Sequence, residues 1–399
     1  MKRSKKIFSS FALIGEELEL LNDVIIEIQE DNIIKISNNN NEIEMNCIEP
    51  EFKFENCIII PGFINSHTHI GDSFAKELGY KLKINEIVQS PKGLKHYLLD
   101  TVKKETIIDG IKNSILEMIY TGTTTFVDFR ENGITGIKLI DEAEKSLIKE
   151  HRDLKIGRII LGRPNKDLKN LDELLKICDG VGLSTTNNYS DEELTEIKEK
   201  CEKYNKIISV HVAETKEERM IADKEFNSSD VYRAILLLNA NPVVHAIHIN
   251  QKDLRLLRAK ERGIVICPRA NSYFGVGFPA IQEFIKQKIS ICIGTDNVMA
   301  NSLNLFREFE FIIKYLRSVF GPKVIDPLEV LKMVSVYPSK IYNLKDRGWL
   351  SPEKRADFSI IDLSGPHLRP LNKILETLTL RVNSKDIKSI FLGGNRIDI

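Results

Sequence analysis

The sequence contains no run of about 18 apolar residues, so it offers no helix able to cross a bilayer. It has no excess of either charge: Lys+Arg and Asp+Glu both number 57. That balance gives no sign of a nucleic-acid footprint or of attraction to an anionic membrane, and a small-molecule partner is expected. The six cysteines (Cys47, Cys57, Cys178, Cys201, Cys267 and Cys292) include no CxxC pair. They read as buried free thiols of a cytoplasmic protein rather than a disulfide framework. A secretory leader is not expected either. The apolar stretch Ile7 to Gly15 is broken by Ser9 and Ser10 and runs into acidic residues without a small-residue cleavage site. There are no internal repeats, and the Asn38 to Asn41 tract reads as a polar turn.

What is present is a chain of 399 residues, 42% hydrophobic and 29% charged. That suits a barrel of about 250 residues plus a smaller unit. Residues 1–58 are β-rich, with strands expected over Asp23–Ile28 and Asn32–Ile36. Eight candidate strands then alternate with helical stretches: Ile58–Asn65, Thr123–Phe129, Lys155–Leu161, Gly180–Ser184, Lys206–Val212, Val243–Ile249, Gly263–Cys267 and Ile289–Thr295. Helices are expected over Ile107–Tyr120, Asp191–Tyr204 and Leu303–Phe320. Eight such units indicate an α/β fold, a (β/α)8 TIM barrel spanning residues 59–340. After residue 340 the helices are expected to stop. Strands return at Asp357–Asp362 and Ser389–Leu392, so 1–58 and 341–399 would form a small β-sandwich.

Chemistry concentrates at the strand ends. His67 and His69 sit two apart in a strand and so share a face, which allows both to enter the barrel mouth and meet one metal ion. His211 ends the fifth strand, His245 the sixth and Asp296 the eighth. Five of the eight histidines lie at or near three strand ends. His245 and His248, three apart, should face opposite sides, so one looks inward and the other bonds a nearby backbone group. Spacing leaves open which. His96, His151 and His367 read as surface or structural residues.

The motifs PGFINSHTH (61–69), TGTTTFVD (121–128), HVAET (211–215), HAIH (245–248), CPRAN (267–271), GTDN (294–297), SLNLFREFEF (302–311) and RGWLSPEKRADFSIID (347–362) follow one another across nearly the whole chain. In this the chain resembles the amidohydrolase superfamily, in its cytosine/guanine/S-adenosylhomocysteine deaminase and chlorohydrolase branch. The resemblance implies one divalent metal ion on His67, His69, His211 and Asp296, with zinc first and iron or manganese able to fit. It implies catalytic roles for Glu214, which shuttles a proton, for His245, which holds the attacking oxygen, and for Asp296, which accepts the water's proton. It also settles the HAIH choice in favour of His245, and gives Asp357 a role in the fold alone. Other branches bridge two metals through a carboxylated lysine at strand four. GVGLSTTNNYSD (180–191) has no lysine, so a mononuclear site is expected. Relatives of this kind often assemble, leaving room for a homo-oligomer.

The expected reaction is hydrolytic deamination of an amino-substituted heterocycle. Alternatives at the same site are a chlorohydrolase or cyclic amide hydrolase, and, further off, an inactive ligand-binding barrel. The chain departs from its relatives after strand two, at Arg130-Glu131-Asn132, and after strand seven, at Arg269-Ala270-Asn271. Arg130, Arg269 and Asn271 are therefore candidate substrate-binding residues. An ion pair with Glu131 is the alternative for Arg130.

Overall fold

The computed structural model describes residues 4–38, 50–88, 92–152 and 154–398. Cys47 and residues 39–41 of the expected polar turn lie outside them.

Two sheets organise the chain. The first joins β1 (Lys5–Ile14), β2 (Glu19–Gln29), β3 (Asn32–Ser37) and β4 (Phe52–Pro61) from the N-terminal side. The barrel strands are β5 (Phe63–His69), β6 (Thr123–Arg130), β7 (Gly157–Gly162), β8 (Gly180–Leu183), β9 (Ile207–Val212), β10 (Val243–His245), β11 (Ile264–Ile266), β12 (Ile291–Ile293) and β13 (Asp296–Asn297). From the C-terminal side β14 (Phe358–Asp362), β15 (Ile387–Leu392) and β16 (Asn395–Asp398) complete the first sheet, in the order β16-β15-β14-β4-β1-β2-β3. Its apolar residues, among them Ile7, Ile26, Ile59, Phe358 and Phe391, form a core of their own.

The second sheet runs β12-β11-β10-β9-β8-β7-β6-β5-β13, with every pair parallel. Its end members, β12 and β13, are two pieces of one strand parted by Gly294 and Thr295. The cylinder therefore closes as a TIM barrel of eight strand positions. At the seam the Asn65 Nδ2 donates to Thr295 Oγ1 (2.8 Å), and the Thr295 amide donates to Asn65 Oδ1 (3.1 Å). A Cβ on Gly294 would fall 2.6 Å from His67 Cβ, so only glycine lets the last strand lie this close to the first. β5 is buried along its whole length, as both faces of a barrel strand are.

Two expectations are corrected here. The stretch read as one strand from Ile58 is two, because β4 stays in the small sheet to Pro61 and the barrel begins at Phe63. Helices do not stop at 340: Ile374–Leu380 is helical and packs on Leu305–Phe320. Its seven residues are too few for a clear helical period to show against the surrounding loops. The described cysteines are free and buried, and no helix among the described residues is long and apolar enough to cross a membrane.

One buried cation ties down the loop that follows β8. Arg233, fully buried, donates to the carbonyls of Thr186 (2.9 Å) and Tyr189 (2.6 Å) and to Asp191 Oδ1 (2.8 Å), and it lies 3.5 Å over the Phe226 ring. Arg233→Met would leave the Tyr189 carbonyl without its donor and the Thr186 carbonyl with the Tyr189 amide alone, at about 1–3 kcal/mol per buried group left unpaired. The variant should lose on the order of 3 kcal/mol in urea unfolding. A loss below about 1 kcal/mol would mean that the clamp is idle.

Candidate metal centre

The barrel's C-terminal mouth opens into a cavity of about 1120 Å3, lined among others by His69, His211, Glu214, His245 and Asp296. β5 delivers His67 and His69, β9 delivers His211, β10 ends on His245 and β13 begins on Asp296. The backbone is strained at this rim: Ala213, His245, Ala246 and Asp296 all have positive φ, between 47° and 70°. Non-glycine residues adopt such angles at a cost and only where the surroundings enforce them. Here they turn the strand ends so that side chains from distant positions converge.

The donor atoms fit a metal ion. His69 Nε2 and His211 Nε2 lie 3.4 Å apart, and Asp296 Oδ1 is 3.3 Å from His67 Nε2 and 3.6 Å from His69 Nε2. Ligands about 2.0–2.1 Å from a tetrahedral ion are about 3.3 Å from each other. His67 is wholly buried, yet neither of its ring nitrogens has an aligned hydrogen-bond partner. Buried imidazole nitrogens are rarely left so, unless a ligand takes them. The other tautomers are set. His211 Nδ1–H donates to the Leu183 carbonyl (2.8 Å) and His69 Nδ1–H to Glu131 Oε1 (2.7 Å), which turns both Nε2 lone pairs inward. Burial pulls His67, His211 and His245 below the ordinary histidine range, and burial with the nearby Lys95 ammonium takes His69 down to about 3. Neutral imidazoles are the form that binds metal. Burial alone would push Asp296 up, but the histidines around it, His67 foremost, hold its carboxyl well below the usual range.

Glu214 stands at the cavity wall with Oε1 3.6 Å from His245 Nε2. Burial, reinforced by the negative charge of Asp296, pushes its carboxyl up to about 8. Strand four offers no second bridging ligand. Gly182 has Phe129 2.7 Å from where its Cβ would be, so a long side chain has no room there.

Several residues lie elsewhere than expected. Arg130 is buried, paired with Glu131 Oε2 (2.6 Å) and near Asp128 (3.5 Å). It lies over Gly71, whose Cβ would sit 1.7 Å from Nη2. Arg269 faces the fully buried Glu308 (3.5 Å) and Ser302 (3.3 Å). Neither arginine lines the cavity. A position after a strand fixes where a residue starts, and buried acids then decided where these side chains went. Asn271 does not line it either; its Oδ1 accepts from His245 Nδ1 (3.0 Å). His248 bonds the Val276 carbonyl (2.8 Å), as one of the HAIH pair should, but it lines the cavity together with His245. The left-handed His245 and Ala246 break the strand alternation on which the one-in, one-out expectation rested. His96 bonds the Val88 carbonyl (3.1 Å) and also lines the cavity, whereas His151 and His367 are exposed. Lys95 and Arg163, which line the cavity, were missed, and Glu131 was read only as an ion-pair partner for Arg130, a pair that forms. Arg163 follows β7 just as Arg130 ends β6, so the same strand-end signal was available for it.

The Amidohydrolase family profile matches residues 58–397. A Methanocaldococcus jannaschii protein is 34% identical over 98% of both chains. A 5-methylthioadenosine/S-adenosylhomocysteine deaminase of Thermoanaerobacter pseudethanolicus is 27% identical over 96% of this chain and 90% of its own. Among solved structures, an adenosine deaminase from Xanthomonas campestris with bound zinc superposes with a TM-score of 0.80 at 16% identity, over 98% of this chain and 92% of that one. The chain belongs to the amidohydrolase family.

The purified protein should carry about one transition-metal ion per chain, as this four-ligand set accommodates. Elemental analysis of His67→Ala and Asp296→Ala should show sharply lower occupancy. Full occupancy in both would remove these residues from the metal.

Proposed function

We propose that the protein is an aminohydrolase that releases ammonia from an amino-substituted heterocycle such as a purine, a pyrimidine, a pterin or one of their nucleosides. As a member of its family it is a hydrolase acting on carbon–nitrogen bonds other than peptide bonds. The observation that carries the finer reading is Glu214, a carboxyl raised to about 8 and set in the cavity wall beside His245. His67, His69, His211 and Asp296 would hold one divalent ion, zinc by the chemistry of the donors. When bound, that ion lowers the pKa of a water toward neutrality and so supplies the nucleophile.

The chain's own groups do the rest. Asp296, held ionised by its histidines, accepts a proton at the free edge of its carboxylate. His245, its Nδ1 held by Asn271, presents Nε2 to the cavity and orients the attacking oxygen. Glu214 passes its proton to the ring nitrogen beside the carbon under attack, which makes that carbon electrophilic; it then takes the hydroxyl proton of the tetrahedral carbon and hands it to the departing amine as the carbonyl forms, and the proton held by Asp296 restores Glu214.

Arg163 is the arginine that could meet a substrate acceptor. It lines the cavity, its Nε is buried without a hydrogen-bond partner, and no ion pair holds it among the described residues. The free buried thiols suit a reducing compartment, and we read the protein as cytoplasmic.

An ammonia-release screen of the metal-replete enzyme across aminopurines, aminopyrimidines, their nucleosides and aminopterins tests the reading. Chloride release from chlorinated triazines, with no ammonia from any of these, would replace it. Glu214→Gln should keep metal and fold and lose about 10²–10⁴-fold in turnover. Near-normal turnover would place the proton transfer on another group. Arg163→Met should raise KM at least about tenfold, or about 1.4 kcal/mol, with metal content unchanged. Wild-type kinetics on the substrate found would release Arg163 from that role.

A further inference from the structure

The three histidines assigned to the metal are held in three different ways. His211 leans on a backbone carbonyl, His67 on no hydrogen-bond partner, and His69 on a side chain that itself belongs to a buried ionic cluster. That side chain is Glu131, 2% exposed, in the Arg130-Glu131-Asn132 segment where the chain departs from its relatives. Both of its oxygens are engaged. Oε1 accepts from His69 Nδ1 at 2.7 Å and from the Lys95 ammonium, and Oε2 accepts from Arg130 Nη2 at 2.6 Å. Lys95 also lies 3.4 Å from Asp72, and Arg130 lies 3.5 Å from Asp128. The chain is shaped to put the carboxylate there. Asn132 is left-handed (φ 59°), turning the backbone directly after Glu131. A Cβ on Gly136 would fall 1.9 Å from the Glu131 carbonyl, so the following helix packs against this turn only through glycine.

We propose that Glu131 is a positioning residue of the metal centre: its carboxylate fixes His69 as the Nδ1–H tautomer and turns Nε2 toward His67, His211 and Asp296. Lys95 and Arg130 hold Glu131 in place. If pairing with Arg130 were its whole purpose, Oε1 would not need to face His69. A carboxylate behind a ligating imidazole orients the ring and makes it a better donor, and losing such a partner typically costs about 10–100-fold in metal affinity. Lys95 enters with the opposite sign. It is a cation beside a cation site, so its removal alone should not weaken metal binding as long as Glu131 keeps Arg130 and His69.

The proposal rests on the metal reading above, and the test separates the two. Zinc affinity is measured by competition with a chromophoric chelator, alongside the visible spectrum of the cobalt(II)-substituted protein. Four proteins are compared: wild type, Lys95→Met, Glu131→Leu, and the double variant Lys95→Met/Glu131→Leu. The double variant removes the buried pair together, so no lone charge is left between positions 95 and 131 to unfold the chain. Circular dichroism verifies the fold of each. Wild type and Lys95→Met should bind zinc tightly, while the double variant binds at least about tenfold more weakly with an altered cobalt spectrum. Equal affinity and an unchanged spectrum in Lys95→Met and the folded double variant would overturn the role of Glu131. A wild-type protein that binds neither ion would overturn the metal reading itself, and this proposal with it.

Discussion

The structure depends on the seam where the first barrel strand meets the last. Gly294 has no side chain, and the Asn65–Thr295 pair is satisfied in both directions, so β13 can lie beside the end of β5. That contact brings Asp296 within 3.3 Å of His67, although the two are far apart in the chain. A bulkier residue at 294 would push the carboxylate away from the histidines, and the cluster would lose its only anionic donor. Asp72 reinforces the same junction. It accepts from Asn297 Nδ2 (2.6 Å) and from the amides of Val298 and Met299, fastening the loop after β13 to the loop after β5.

Much of this was readable from the sequence, for physical reasons that differ from residue to residue. His67 and His69 were legible because strand alternation puts positions two apart on one face, and β5 stays regular through both. His211 and Asp296 were legible as strand ends, because a parallel barrel gathers its strand ends at one mouth. The reading failed where the backbone leaves the regular strand. At His245 and Ala246 two left-handed residues cancel the alternation, and His248 joins the cavity wall. It failed again for Arg269, whose direction is set by an acid on another element, while Arg130 took the ion pair with Glu131 that the sequence offered as its alternative. Glu308 is fully buried and faces Arg269, and no local pattern announces that pairing. Lys95 was invisible for a related reason. It lies on a short helix, Leu94–Thr101, and a lysine in such a place ordinarily reads as solvent-facing.

Those failures share a cause, which is buried charge. Hydrophobic periodicity reports which face of an element is covered, but a buried ion is placed by its counter-ions, and these come from anywhere in the chain. Around His69 the chain buries Asp72, Asp128, Glu131 and Asp296 together with Lys95 and Arg130. Burial pushes Asp72 and Asp128 upward, while the hydrogen bonds each accepts favour its ionised form: from Asn297, Val298 and Met299 for Asp72, and from Ile70 and Thr68 for Asp128.

Glu131, which faces the two cations Lys95 and Arg130, and Asp296 are held below the usual carboxylate range, whereas burial pushes Asp72 and Asp128 up. The described side chains offer no further cation among the contacts of these carboxylates, and the nearby histidines are driven neutral by burial. A divalent ion among His67, His69, His211 and Asp296 would meet the Asp296 carboxylate at the place where the Nε2 atoms of these histidines converge. The buried ionic cluster and the candidate metal centre are joined through the His69–Glu131 hydrogen bond. Lys95 and Arg130 let the protein keep Glu131 and Asp128 as rigid supports without over-attracting cations, and Asp296 remains the one carboxylate free to bind the ion directly.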